Sequence, residues 1–237
     1  MYINDLHILY YLGLGLIGMI IGQFIDWCNI RMPEHKKIIS KNFFTIYLKN
    51  FKPNYLLMFT NAIFYIAILY FYGISDIRTY EYLFLIPILI SVFQIDYKKQ
   101  IIPTRLSLTL LEVGLIFTFI EGISNLNIAI DKIMGFAIGG IIFLIIAFLS
   151  KLFSSKDTVE YGDVKLASFL GLFFGYKATI VIAIISFIIA GITSLILLLI
   201  KNKKINEYIA FGPFIAIASV IIMLIPIEEL MVLLINL

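Results

Sequence analysis

Charge is what this sequence has least of. Only 14% of its 237 residues are Asp, Glu, Lys or Arg, where a water-soluble domain carries about a quarter. With 62% apolar residues and a mean hydropathy of +1.04, that scarcity excludes a water-soluble fold. Cysteine is rarer still, with Cys28 alone. A single cysteine excludes an intramolecular disulfide and any Cys-based zinc cluster, so Cys28 reads as a small packing residue. No metal site and no cofactor are expected, and no nucleic-acid partner. Residues Met1 to His7 contain no Lys or Arg, and no small-residue cleavage pattern follows. The first apolar run therefore reads as a retained span, not a cleaved signal.

Long uncharged runs fill the space that charge vacates. Ala137 to Leu149 and Ala178 to Ile200 carry none at all, as bilayer-crossing helices do. Hydropathy predicts an all-α, polytopic membrane protein of about eight segments. These are Leu6–Ile30, Tyr55–Gly73, Tyr80–Ile95, Leu106–Gly122, Ile133–Phe153, Val164–Phe174, Ala178–Ile200 and Tyr208–Ile225. The sixth, at eleven residues, reaches about half of a ~30 Å hydrocarbon core, so it is a half-helix or merges with the seventh. Assigning the loops alternately to two sides puts fifteen of the eighteen basic residues on one side, leaving Arg78, Lys132 and Lys177 on the other. The positive-inside rule makes the basic side cytoplasmic and puts the N-terminus outside. The whole chain, 1–237, reads as one transmembrane domain with a short basic cytoplasmic loop at about 31–54. Gly18/Gly22, Gly135/Gly139 and Gly171/Gly175 have the small-xxx-small spacing of closely approaching helices.

Four acidic residues stand at or near membrane depth: Asp26, Asp96, Glu112 and Asp163. Ionisable groups there are costly and face a protein interior or a water-filled cavity. Asp96 opens D-Y-K-K-Q-I-I-P-T-R-L-S, with Pro103 suited to the first turn of the next helix. Asp163 ends E-Y-G-D, where Gly162 permits a turn that residues with a Cβ avoid. Asp163 then sits at a helix N-terminus, whose dipole favours a carboxylate. Both fall on the cytoplasmic side of the predicted topology. Two neighbouring carboxylates can share one proton, one acting as acid while its ionised partner activates water. From position alone, helix caps at an interface are the simpler account of each Asp.

At these residues the chain resembles the type 4 prepilin peptidases, membrane-embedded aspartic endopeptidases. The run G-Q-F-I-D-W-C-N-I-R-M-P, Gly22 to Pro33, is similar to the family's G-S-F-L-N-V-V-I-x-R-L-P. Asp96 with Ile102, Pro103 and Leu106 matches the segment carrying the first catalytic aspartate. Gly162, Asp163, Val164, Lys165 and Leu166 match the G-x-G-D-x-K-L segment carrying the second. Ala210 to Ala218 looks like the F-G-P-F-L-A block. The resemblance implies catalysis by Asp96 and Asp163, supported by Gly162, Lys165 and Pro103. It implies cytoplasmic removal of a basic leader from prepilins or pseudopilins, after a glycine, in the inner membrane. An acidic rim suits such a leader, with Asp157, Glu160 and Asp26 as candidates.

This sequence departs from the family pattern in three places. Glu160 replaces the first glycine of G-x-G-D, and Asp26 replaces an asparagine. The first loop lacks the paired Cys-x-x-Cys motifs that bind zinc in longer members. The expectation is peptidase activity without N-methylation by S-adenosylmethionine. Two other classes remain open: a small proton- or cation-coupled transporter using Asp26, Glu112 and Asp96, and a non-catalytic scaffold. Against the first, the acids gather on one face and no inverted repeat is visible.

Overall fold

A computed structural model describes residues 2–4, 6–34, 36–38, 47, 52–153, 161–199 and 210–225, with the side chains of 2–3, 150–153 and 198 excepted. These residues form an all-α architecture preceded by one small antiparallel pair, β1 (Tyr2–Ile3) and β2 (Leu6–His7). Seven helices come after it among the described residues: α1 (Ile8–Arg31), α2 (Tyr55–Tyr72), α3 (Ile77–Lys99), α4 (Thr104–Ser124), α5 (Leu126–Phe153), α6 (Tyr161–Leu199) and α7 (Gly212–Leu224). The first six are long and apolar enough to cross a bilayer, and the chain is a multi-pass membrane protein. It divides into two compact units, residues 1–95 and 96–237.

In the first unit, glycine lets two helices approach to backbone contact. A Cβ on Gly18 would lie 2.7 Å from Ala62 Cα, and one on Gly22 would lie 2.4 Å from the Leu57 carbonyl oxygen. Close approach of this kind replaces the hydrophobic drive that lipid cannot supply. Asn61 adds a hydrogen bond from Nδ2 to the Gly18 carbonyl at 2.8 Å. Cys28 is buried, as a packing residue should be.

The second unit repeats this device between α5 and α6. A Cβ on Gly171 would lie 2.1 Å from the Gly135 carbonyl carbon, and one on Gly139 would lie 2.5 Å from the Ala167 oxygen. Gly139 also faces the Thr179 methyl, at 3.1 Å from the same Cβ position. In a straight helix Ala167 and Thr179 would stand about 18 Å apart, so α6 folds back on itself. The reversal is at Gly175, whose φ of 74° and ψ of 177° lie in a region that glycine alone tolerates. The two arms, 161–174 and 176–199, correspond to the sixth and seventh segments expected from hydropathy.

Candidate active site

The second unit carries both aspartates. Asp96 lies on the last turn of α3, where a buried pair, Ile95 and Asp96, precedes the exposed run Tyr97 to Gln100. The helix ends through Gln100, whose left-handed φ of 55° turns its N–H back to the Asp96 carbonyl at 2.8 Å. Pro103 then acts as the residue before α4, with extended backbone and a carbonyl that accepts from Leu106 and Ser107. The expectation put Pro103 inside the first turn; it stands one position earlier. Asp163 sits in the first turn of α6. The two carboxylates are 3% and 2% exposed respectively, and burial this deep requires polar partners.

Asp96 has one such partner across 116 residues of sequence. The Gly212 N–H, at the start of α7, donates to Asp96 Oδ2 at 2.9 Å. A Cβ on Gly212 would lie 2.5 Å from that oxygen and 3.3 Å from Ile102 Cδ1. Ile102 faces the other aspartate's segment as well, since a Cβ on Gly162 would lie 3.2 Å from Ile102 Cβ. One isoleucine side chain thus touches the glycine before Asp163 and the glycine bonded to Asp96. The starts of α6 and α7 and the end of α3 meet at one end of this unit.

Gly162 earns its place by space and not by conformation. It lies within the helical run of α6, and its φ is outside the left-handed range. The turn expected there from sequence is absent, and the contact with Ile102 is what a larger residue would disturb. Lys165 projects from α6 as an exposed side chain. Asp157 and Glu160 lie outside the described residues.

Asp26 belongs to the first unit, where it is engaged locally. Its carboxylate accepts from Tyr47 Oη at 3.1 Å and from Asn54 Nδ2 at 2.7 Å. Gln23 joins the same network, touching the Tyr47 hydroxyl and accepting from the Asn54 N–H at 2.9 Å. Burial and the nearby Asp26 charge push the Tyr47 phenol up to about 12, so it remains a donor at neutral pH. These bonds hold the connection between α1 and α2.

Membrane-depth acids also fall differently from the sequence reading. Glu112 is exposed on α4, not turned inward. Besides Asp96 and Asp163, the acids buried among the described residues are Glu81, 1% exposed on α3, and Glu121, 7% exposed at the end of α4. Glu121 pairs with Lys132 of α5 at 2.7 Å. The sequence reading passed over Glu121, although the helical period puts it on one face with Gly114, Phe117 and Thr118, all buried. Among the described residues, no group of three or more His, Cys, Asp or Glu side chains is placed to hold a metal ion.

Comparison with known proteins bears on the same segments. Residues 83–195 match the Type IV leader peptidase family. That stretch, just under half of the chain, holds Asp96, Ile102, Gly162 and Asp163. The chain is 31% identical over 137 residues to the prepilin leader peptidase/N-methyltransferase of Aeromonas hydrophila, covering 58% of this chain and 46% of that protein. The Aeromonas salmonicida protein of the same name is 32% identical over 137 residues, with the same coverage. That of Pseudomonas aeruginosa is 31% identical over 136 residues, 57% of this chain and 46% of the relative. The chain spans about half the length of the curated relatives it matches. No solved structure matches it. The family resemblance legible in the motifs is therefore borne out across the second unit's aspartate-bearing segments.

Proposed function

We propose that this protein is an aspartic endopeptidase of the inner membrane that removes the basic leader of type IV prepilins or pseudopilins. The observation that carries the reading is the convergence on Ile102. That side chain touches the glycine preceding Asp163 and the glycine hydrogen-bonded to Asp96. Two nearly buried aspartates, one following a glycine that packs on Ile102 and the other bonded to a second such glycine, within a segment matching a leader peptidase family, suit acid–base hydrolysis of a peptide.

In that chemistry one aspartate, ionised, takes a proton from water as the water oxygen bonds to the scissile carbonyl carbon. The other aspartate, protonated, gives its proton to the carbonyl oxygen. The tetrahedral intermediate collapses: the C–N bond breaks, the leaving nitrogen takes the proton held by the first aspartate, and the second aspartate takes a hydroxyl proton back as the carbonyl re-forms. Both carboxyl groups thereby return to their starting protonation states. No metal or cofactor is required by this sequence of steps. The cut falls after a glycine on the cytoplasmic side, the side assigned to both aspartates by the distribution of Lys and Arg.

The activity proposed is peptidase without methyl transfer. Its support is compositional, because the single cysteine leaves no paired Cys-x-x-Cys zinc loop. The transporter alternative needs Glu112 on an interior path, and Glu112 is exposed. Incubating the purified protein with a prepilin bearing a basic leader, then sequencing and weighing the product, tests the proposal. The expected product begins after the leader glycine and carries no added methyl group. An uncut prepilin, or a cut elsewhere, contradicts it.

A further inference from the structure

We propose that Gly212 is a positioning residue for Asp96, and that a cluster of phenylalanines fixes the direction of its N–H. The inference rests on the two-aspartate reading above and adds a requirement to it.

The donors at the start of α7 are accounted for one by one. The N–H groups of Phe214 and Ile215 bond to the Phe211 carbonyl, at 3.0 Å and 3.4 Å. Pro213 has no N–H to give. Gly212 is left, and its N–H goes to Asp96 Oδ2. Asp96 thus serves α7 as a cap supplied from another helix, since Phe211 at the capping position offers no side-chain bond. A buried N–H held on one carboxylate oxygen restrains rotation of that carboxylate.

The restraint is only as firm as the peptide that carries it. Phe211 lies with its ring centroid 4.8 Å from that of Phe187 on the second arm of α6, and 5.7 Å from Phe143 on α5. Phe143 and Phe187 are themselves stacked at 5.8 Å, and Phe143 is 1% exposed. Rotating the 211–212 peptide would drag the Phe211 ring out of this packing. Replacing Gly212 has a more direct effect, because any Cβ would meet Asp96 Oδ2 at 2.5 Å and force the carboxylate aside. Displacements of this size cost rate without costing substrate affinity.

The test is steady-state cleavage of a purified prepilin by the full-length protein in detergent, comparing wild type, Asp96→Asn, Gly212→Ala, Phe187→Leu and Phe187→Tyr. Gly212→Ala is expected to lower kcat about 10²-fold with KM unchanged. Phe187→Leu is expected to lower kcat about tenfold, and Phe187→Tyr, which keeps the ring, to restore it. Wild-type kcat in Gly212→Ala, or a loss confined to KM, overturns the proposal. Should Gly212→Ala not accumulate, the Phe187 pair decides, and equal kcat in the two variants overturns it. An active Asp96→Asn contradicts the two-aspartate reading itself; an inactive one beside a fully active Gly212→Ala contradicts only the positioning role.

Discussion

The carboxylate of Asp131 lies against Gly175 where α6 reverses, so closely that a Cβ on Gly175 would sit 1.8 Å from Asp131 Oδ2. Two independent constraints therefore fall on one residue. Its backbone conformation suits glycine alone, and its side-chain space is already filled by an acid from α5. Gly175→Ala should lose about 1–3 kcal/mol from backbone strain, with the clash in addition. Thermal unfolding in detergent should show a clear fall in midpoint. Adding Asp131→Ala should recover the steric part and leave the conformational part. A Gly175→Ala protein as stable as wild type would contradict the fold-back.

The Glu121–Lys132 pair bridges α4 and α5 with side chains 8% and 7% exposed. Removing one partner leaves an uncompensated buried charge, at a cost of about 3–5 kcal/mol. Replacing both with apolar residues of similar size is close to neutral. Lys132→Met alone should thus destabilise far more than Lys132→Met with Glu121→Leu. Equal unfolding midpoints for the single and double variants would show that the pair is not buried as described.

Tyr47 gives a pH-dependent prediction in the first unit. Its phenol is raised from 10.0 to about 12, first by burial and then by the Asp26 charge. A folded-state value above the unfolded one means that the contribution to stability is complete below pH 10 and lost as pH rises through about 12. In a spectrophotometric titration, the difference between wild type and Tyr47→Phe should show no phenolate near pH 10 and ionisation near 12. Asp26→Asn should bring that ionisation down.

Much of this was legible in the sequence, for reasons that differ residue by residue. The long helices were readable because lipid imposes continuous apolar runs, and α1, α2 and α4 match the hydropathy segments closely. The separate sixth and seventh segments foretold a break near Gly175, though not Asp131 beside it. Asp96 and Asp163 were legible as candidates from motif and position; the packing of Ile102 against Gly162 and Gly212 was not. That contact joins residues far apart in the chain, and no local pattern encodes it. The direction Glu112 faces was left open because hydropathy reports depth in a helix but not the direction a side chain faces. Glu81 and Glu121 were missed for the same reason. Gly162 was assigned a turn when its actual constraint is the space occupied by Ile102.

In the proposed peptidase, Asp96 and Asp163 act together on one peptide bond. The direct measurement is a gel-shift assay of prepilin processing in membranes containing wild type, Asp96→Asn or Asp163→Asn, each at matched abundance. The expected result is complete conversion by wild type and none by either variant, since each substitution removes one proton-transfer role while preserving shape. Full processing by either variant would contradict it.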